Sequence, residues 1–132
     1  MKIKEVPQDG VILESSGVRD VCYAVDENGK YTQVISVGWE PKNDAINFAW
    51  AAINEETEKI KTEVLSGKLS PLAYHLHKLV MTPAILADYS GFSKRKIKKF
   101  CEPKPFSGLK YDDLLKLADA LKISVEQLIS VD

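Results

Sequence analysis

The chain has 132 residues and a net charge of −1, and its 45% hydrophobic and 28% charged residues are typical of a globular protein. This length suits one domain or two small ones, and no apolar run approaches the ~20 residues that cross a bilayer. We therefore expect a cytoplasmic protein without a membrane segment. The distant Cys22 and Cys101 favour free thiols over a disulfide or a metal site.

Residues 1–68 predict a small α+β unit. A short strand is weakly indicated at residues 11–14. Residues 21–25 and 31–37 are rich in strand-forming side chains, and Asn28-Gly29 between them favours the tight turn of a β-hairpin.

A long helix is expected after the hairpin. Asn43 or Asp44 can cap its start, and Gly67 can end it after Ser66. Apolar or small side chains recur along it in steps of four and three, which makes one stripe: Ile46, Trp50, Ile53, Thr57, Ile60 and Val64. The stripe either packs against the hairpin, the favoured interpretation, or forms a dimer seam.

The two tryptophans, Trp39 and Trp50, are expected to be core residues between hairpin and helix. An exposed Trp39 would instead indicate a surface that binds a partner. The sequence leaves open whether this unit dimerises or binds another protein.

Residues 69–132 predict an all-α domain of five short helices. Ser70-Pro71 and Thr82-Pro83 each place a cap before the residue best tolerated at the first helical position. These signals start helices at residues 71–80 and 83–89. Ser93 caps a third helix that ends near Cys101.

The remaining elements follow a predicted loop at residues 102–108, whose prolines and glycine argue against a continuous helix. A fourth helix is expected at residues 111–121. Ser124 caps a last short helix, and three of its side chains are expected to point inward: Val125, Leu128 and Ile129.

Residues 83–100 have the pattern of a helix-turn-helix. Ala87 is small where two steeply crossing helices approach, and Gly91 can adopt the positive φ of the turn. Four apolar side chains lock the second helix onto the domain: Leu86, Phe92, Ile97 and Phe100. With those facing inward, the cations lie on the outer face, as in a recognition helix.

Positive charge is concentrated on that helix. Residues 1–70 carry 8 Lys and Arg against 12 Asp and Glu, a balance of −4, whereas residues 71–132 carry 10 against 7, a balance of +3. Five cations fall within positions 94–99. The cluster is either a solvated helical face or, as its position favours, a DNA-binding surface.

The run at residues 114–128 resembles the end of the phage-repressor-like (XRE) helix-turn-helix family, with a Leu-x-hydrophobic-Ser step into a final helix. Together with residues 83–100, the resemblance covers roughly residues 72–129. It implies a five-helix, lambda-repressor-like fold whose third helix enters the major groove of DNA.

Carried onto this chain, the resemblance implies DNA-facing positions at Ser93, Lys94, Arg95, Lys98 and Lys99. Arg95 suits a guanine edge, and the three lysines suit phosphates. Outside this helix, Lys104 and Lys110 could also reach the DNA backbone.

The chain departs from the family at two places. Pro83 stands where members often have Gln, and Cys101-Glu102-Pro103 stands where many have Glu-x-Gly. These departures bear on which operator is read and leave the predicted fold unchanged.

Other residues are interpreted as structural. His75 and His77 lie two apart on a helix, so they point in different directions and cannot share a metal. Cys101, near lysines, could have a lowered pKa and sense oxidants, but a structural cysteine is favoured. No catalytic motif emerges, so we predict that the chain is not an enzyme and needs no cofactor.

The leading hypothesis is a sequence-specific double-stranded DNA-binding regulator of transcription that acts as a homodimer. The alternative is a protein-interaction or antitoxin-like module with little or no DNA readout, whose N-terminal unit binds a protein partner. Salt dependence separates them, since binding through lysines weakens steeply as salt rises.

Overall fold

The computed structural model describes residues 1–10 and 17–132. In that part of the chain, a two-stranded antiparallel hairpin precedes seven α-helices, which confirms the predicted α+β class. The weak strand expected at residues 11–14 lies outside the described residues. No helix of the described part is long and apolar enough to span a membrane.

The chain forms two compact units, residues 1–51 and residues 52–132, which are described separately below. The boundary expected from the sequence, between residues 68 and 69, lies after the end of the long helix. In the structure, the second half of that helix belongs to the C-terminal unit.

The N-terminal unit contains the predicted hairpin. Strand β1 spans Asp20–Val25 and strand β2 spans Tyr31–Ser36, paired in register from Asp20 opposite Ser36 to Val25 opposite Tyr31. The Asp26 carboxylate accepts hydrogen bonds from the backbone N–H groups of Asn28 (2.8 Å) and Lys30 (2.9 Å), which shapes the turn.

The long helix α1 spans Glu40–Leu65, and its predicted start was wrong. Neither Asn43 nor Asp44 caps it. The carboxylate of Asp9, distant in sequence, accepts the Glu40 N–H at 3.0 Å, and the Asn43 side chain donates to the Asp9 carbonyl at 2.8 Å. The helix therefore begins earlier, because a remote side chain satisfies its first turn.

The tryptophans are not core residues, contrary to the prediction. Trp39 is 54% exposed and Trp50 is 48% exposed. The N-terminal unit buries few large side chains; Val6 and Ala24 are its buried hydrophobic residues among those described.

The second half of α1 packs within the C-terminal unit through polar contacts. The Thr57 hydroxyl lies 2.9 Å from Nδ1 of His77, and a Glu56 carboxylate oxygen lies 3.0 Å from its Nε2. Gly67, at φ +79°, lies two residues after Leu65, the last helical residue, so the predicted stop is confirmed.

Six helices follow α1 in the C-terminal unit: α2 Pro71–Lys78, α3 Pro83–Ser90, α4 Lys94–Phe100, α5 Pro103–Ser107, α6 Tyr111–Leu121 and α7 Val125–Ile129. The bounds of α6 agree with the prediction, as does the Ser124 cap of α7. Their buried side chains form one core, which includes Leu72, Leu76, Leu86, Ile97, Phe106, Leu117 and Leu128.

Two predictions for residues 102–129 were wrong. The segment expected to be a loop contains α5, so six helices stand where five were expected. Pro103 and Pro105 both lie in the first turn of α5, where a missing N–H costs no helical hydrogen bond, and Phe106 is buried in the core. At the C-terminus, Ile129 is 54% exposed, although it was expected to point inward.

The two histidines of α2 point to different neighbours, as predicted. His75 is buried, and its Nε2 lies 2.9 Å from the Ser130 carbonyl, while His77 faces α1. Burial lowers the pKa of His75, so the neutral ring is the form that packs in the folded unit.

Helix α2 ends at Lys78, before the predicted residue 80, in a motif that favours glycine. Met81 N–H donates to the Leu76 carbonyl at 2.8 Å and Val80 N–H donates to the His77 carbonyl at 3.0 Å. This pattern requires a left-handed residue, and Val80 supplies it at φ +52° although it is β-branched and 57% exposed.

We predict that Val80→Gly stabilises the protein by roughly 0.5–1 kcal/mol, because relief of the left-handed strain exceeds the entropy that glycine adds to the unfolded chain. Chemical denaturation monitored by circular dichroism measures the change. Val80→Ala is the matched control, since it removes bulk but keeps the Cβ, and it should gain less. A Val80→Gly protein that unfolds at lower denaturant than wild type would contradict the prediction.

Candidate nucleic-acid interface

Helix α3 and the turn after it set the direction of α4. The Thr82 hydroxyl accepts the Ile85 N–H at 3.3 Å, and Pro83 occupies the first helical position. At the other end, Gly91 ends α3 at φ +77° and donates its N–H to the Ala87 carbonyl at 3.0 Å. The predicted glycine turn between the two helices is thus confirmed.

Helix α4 is only seven residues long, Lys94–Phe100. Ser93 caps it, since its hydroxyl oxygen accepts the Lys96 N–H at 3.3 Å. A helix of this length is not stable alone in water, so its conformation and direction depend on what it packs against.

One side of α4 is fixed in the core. Ile97 and Leu86 are fully buried, while Phe92 and Phe100 are half-buried against the same core. The two phenylalanine rings meet edge to face, with centroids 5.4 Å apart at 89°. All four apolar positions predicted to lock the helix therefore do so.

The C-terminal end of α4 is held by Ser70. This fully buried serine donates its backbone N–H to the Cys101 carbonyl at 2.8 Å and its hydroxyl to the Phe100 carbonyl at 2.5 Å. The sequence identified Ser70 only as the cap of α2, where its side chain makes no capping hydrogen bond. Its role in positioning α4 depends on tertiary packing that no local pattern reveals.

The opposite side of α4 is a row of exposed cations. At 3.6 residues per turn, four predicted DNA-facing residues share one side of the helix and all are exposed: Lys94, Arg95, Lys98 and Lys99. Lys96 is exposed on the flank. Within residues 1–10 and 17–132, none of these side chains forms an ion pair.

The other predicted contacts lie at either end of this surface in sequence. Ser93 is exposed, and because its oxygen accepts the capping bond, its hydroxyl proton remains able to donate. Lys104 is exposed on α5, and Lys110 is exposed before α6.

Two arrangements of charge on α4 are unfavourable within the protein itself. Lys94 and Arg95 lie in the first turn, at the positive end of the helix dipole, and no acidic residue lies there to offset them. Lys94 with Lys98, and Arg95 with Lys99, are like charges four residues apart, which repel. A bound polyanion would relieve both effects.

Cys101, directly after α4, does not have the environment of a reactive thiol. Burial, followed by the charge of Glu102, raises its pKa to about 11. The possibility of a lowered pKa is therefore wrong, and the structural interpretation of this cysteine is favoured.

Comparisons of the chain with protein-family models, with curated proteins and with solved structures give no match. The likeness to the XRE family therefore stays a prediction from the sequence. What supports a function is the geometry and the charge of α4.

We predict that Cys101 resists alkylation at pH 8, because a pKa of about 11 leaves roughly a thousandth of the thiol as thiolate. Mass spectrometry of a Cys22→Ser protein treated with iodoacetamide isolates the Cys101 rate. Unfolding the same protein in guanidinium should raise that rate strongly. Equal rates in the folded and unfolded protein would contradict the burial that raises the pKa.

Proposed function

We propose that the C-terminal unit binds double-stranded DNA and that the protein is a sequence-specific, cytoplasmic regulator of transcription. The observation that carries the proposal is the division of α4: one side is buried in the core, and the other presents four exposed cations. A short, rigidly held helix with a cationic outer side suits insertion into the major groove.

The exposed side chains of α4 have different chemistry. The guanidinium of Arg95 has the planar fork that pairs with O6 and N7 of guanine, so we assign it base recognition. Lys94, Lys98 and Lys99 are point charges suited to phosphates, which add affinity and salt dependence more than sequence choice. The Ser93 hydroxyl and Lys104 are assigned to the DNA backbone.

We further propose that the protein binds DNA as a homodimer. One helix of seven residues covers few base pairs, and it offers one side chain suited to bidentate base recognition. Two copies on half-sites about one helical turn apart would supply the remaining specificity.

A second candidate function is protein binding with little DNA readout. A specific feature favours it: an open groove of about 680 Å³ in the C-terminal unit, lined in part by Leu79, Ile85 and Tyr89. These three side chains are 41%, 42% and 74% exposed. An antitoxin-like protein could combine such a contact with DNA binding.

Selection from a random duplex library tests the DNA-binding proposal. Wild type should enrich one motif, and an inverted repeat is expected for a dimer. A Lys94→Glu/Arg95→Glu/Lys98→Glu variant should lose this enrichment, because its recognition surface repels phosphates.

The matched control is Lys30→Glu/Lys61→Glu/Lys68→Glu, which makes the same change in net charge outside α4. It should still select the wild-type motif. If wild type enriches no motif, or if both triple variants lose it equally, α4 is not the recognition helix and protein binding becomes the better account.

A further inference from the structure

One face of the β-hairpin is apolar, and no described residue of the N-terminal unit covers it. Val21, Tyr23, Tyr31 and Ile35 project from it and are 54%, 64%, 80% and 55% exposed. On the opposite face, Ala24 is fully buried and Ser36 is 3% exposed. We name the exposed side the hairpin face and define it by Val21, Tyr23, Tyr31, Gln33 and Ile35.

The hairpin face carries no charge. Two of its polar members bond to each other across the strands, since the Gln33 side-chain amide donates to the Tyr23 hydroxyl at 3.1 Å. Such a surface offers no cation to phosphates or lipid headgroups. It suits contact with an equally apolar protein surface that brings no charge to bury.

The strand edges are partly occupied. On β2, the Gln8 side chain donates to the Ile35 carbonyl at 2.9 Å and accepts the Val37 N–H at 3.1 Å. On β1, Val25 donates its N–H to the Met1 carbonyl at 3.0 Å. Another strand is thus hindered from pairing at these positions.

We propose that a second copy of this chain covers the hairpin face, so that two hairpins pack face to face about a twofold axis. A two-stranded sheet is only marginally stable in water unless another layer covers its apolar side. In a twofold contact, the same residues lie on both sides of the interface. A face without charged residues can therefore meet its own copy without repulsion between like charges.

The area of the face is consistent with this partner. If each of the four residues is given about 200 Å², a value within the range for aromatic side chains, their exposed fractions leave roughly 500 Å² per copy as an upper limit. A stable dimer of standard size buries about 800 Å² on each partner. Val21 and Trp39, which is 54% exposed, also line an open cavity, and the charged residues there, Asp20 and Lys42, pair with each other. This surface can add to the contact area.

Sedimentation equilibrium of the full chain tests the proposal, and it does not depend on DNA binding by α4. Wild type should be a dimer at micromolar concentration. Ile35→Lys and Ile35→Glu should each raise the dimer dissociation constant about thirtyfold or more, because each copy then buries an unpaired charge in an apolar contact.

Leu65→Lys is the matched control, because Leu65 is 72% exposed but lies outside the hairpin. It should dimerise like wild type, and circular dichroism should show unchanged helix content in all variants. A monomeric wild type overturns the proposal. So does a dimer that either Ile35 variant leaves intact. A dimer that selects no DNA motif would count against the proposed function alone.

Discussion

The burial of one side of α4 is the constraint on which the C-terminal unit depends. Seven residues cannot maintain a helix in water, so Ile97 in the core, the Phe92–Phe100 contact and the two hydrogen bonds from Ser70 fix both its conformation and its direction. Because that side is buried in the core, the cations lie on the exposed side of the helix. The same packing that stabilises the helix therefore creates the exposed basic surface.

The N-terminal unit differs from the C-terminal unit in what positions its segments. Its described residues bury few large side chains, and polar contacts position its segments: Asp9 at the first turn of α1, Asp26 in the hairpin turn and Gln8 at the β2 edge. Apolar side chains that would form a core in a larger domain stay exposed on the hairpin face. Such a unit gains stability when a second surface covers its exposed apolar side chains, whereas the C-terminal unit already has a complete core.

Local signals in the sequence predicted much of the fold. Serine or threonine caps, prolines at first helical positions and the glycine turn at Gly91 have local causes, so the starts of α3, α4 and α7 and both ends of α6 were foreseen. The side chains that bury α4 also follow from its periodicity. The exposed cations of the candidate site were identified by the same reasoning.

The errors share a cause, which is that the decisive partner lies far away in sequence. Asp9 sets the start of α1 across 31 positions, and the link from Ser70 to Phe100 spans 30. Helix α5 exists because the core accepts Phe106, although its prolines suggested a loop. The exposure of Trp39 likewise depends on what packs nearby, which composition and spacing do not encode.

The dependence of DNA affinity on salt tests the central claim, that the outer side of α4 binds the phosphate backbone, most directly. We would measure log K against log salt concentration for wild type and for Lys98→Ala on the same duplex. The account predicts a steep negative slope for wild type. In the variant, the magnitude of the slope should fall by about 0.9 per half-site, because each half-site loses one phosphate contact. A flat wild-type slope, or one that Lys98→Ala leaves unchanged, would contradict it.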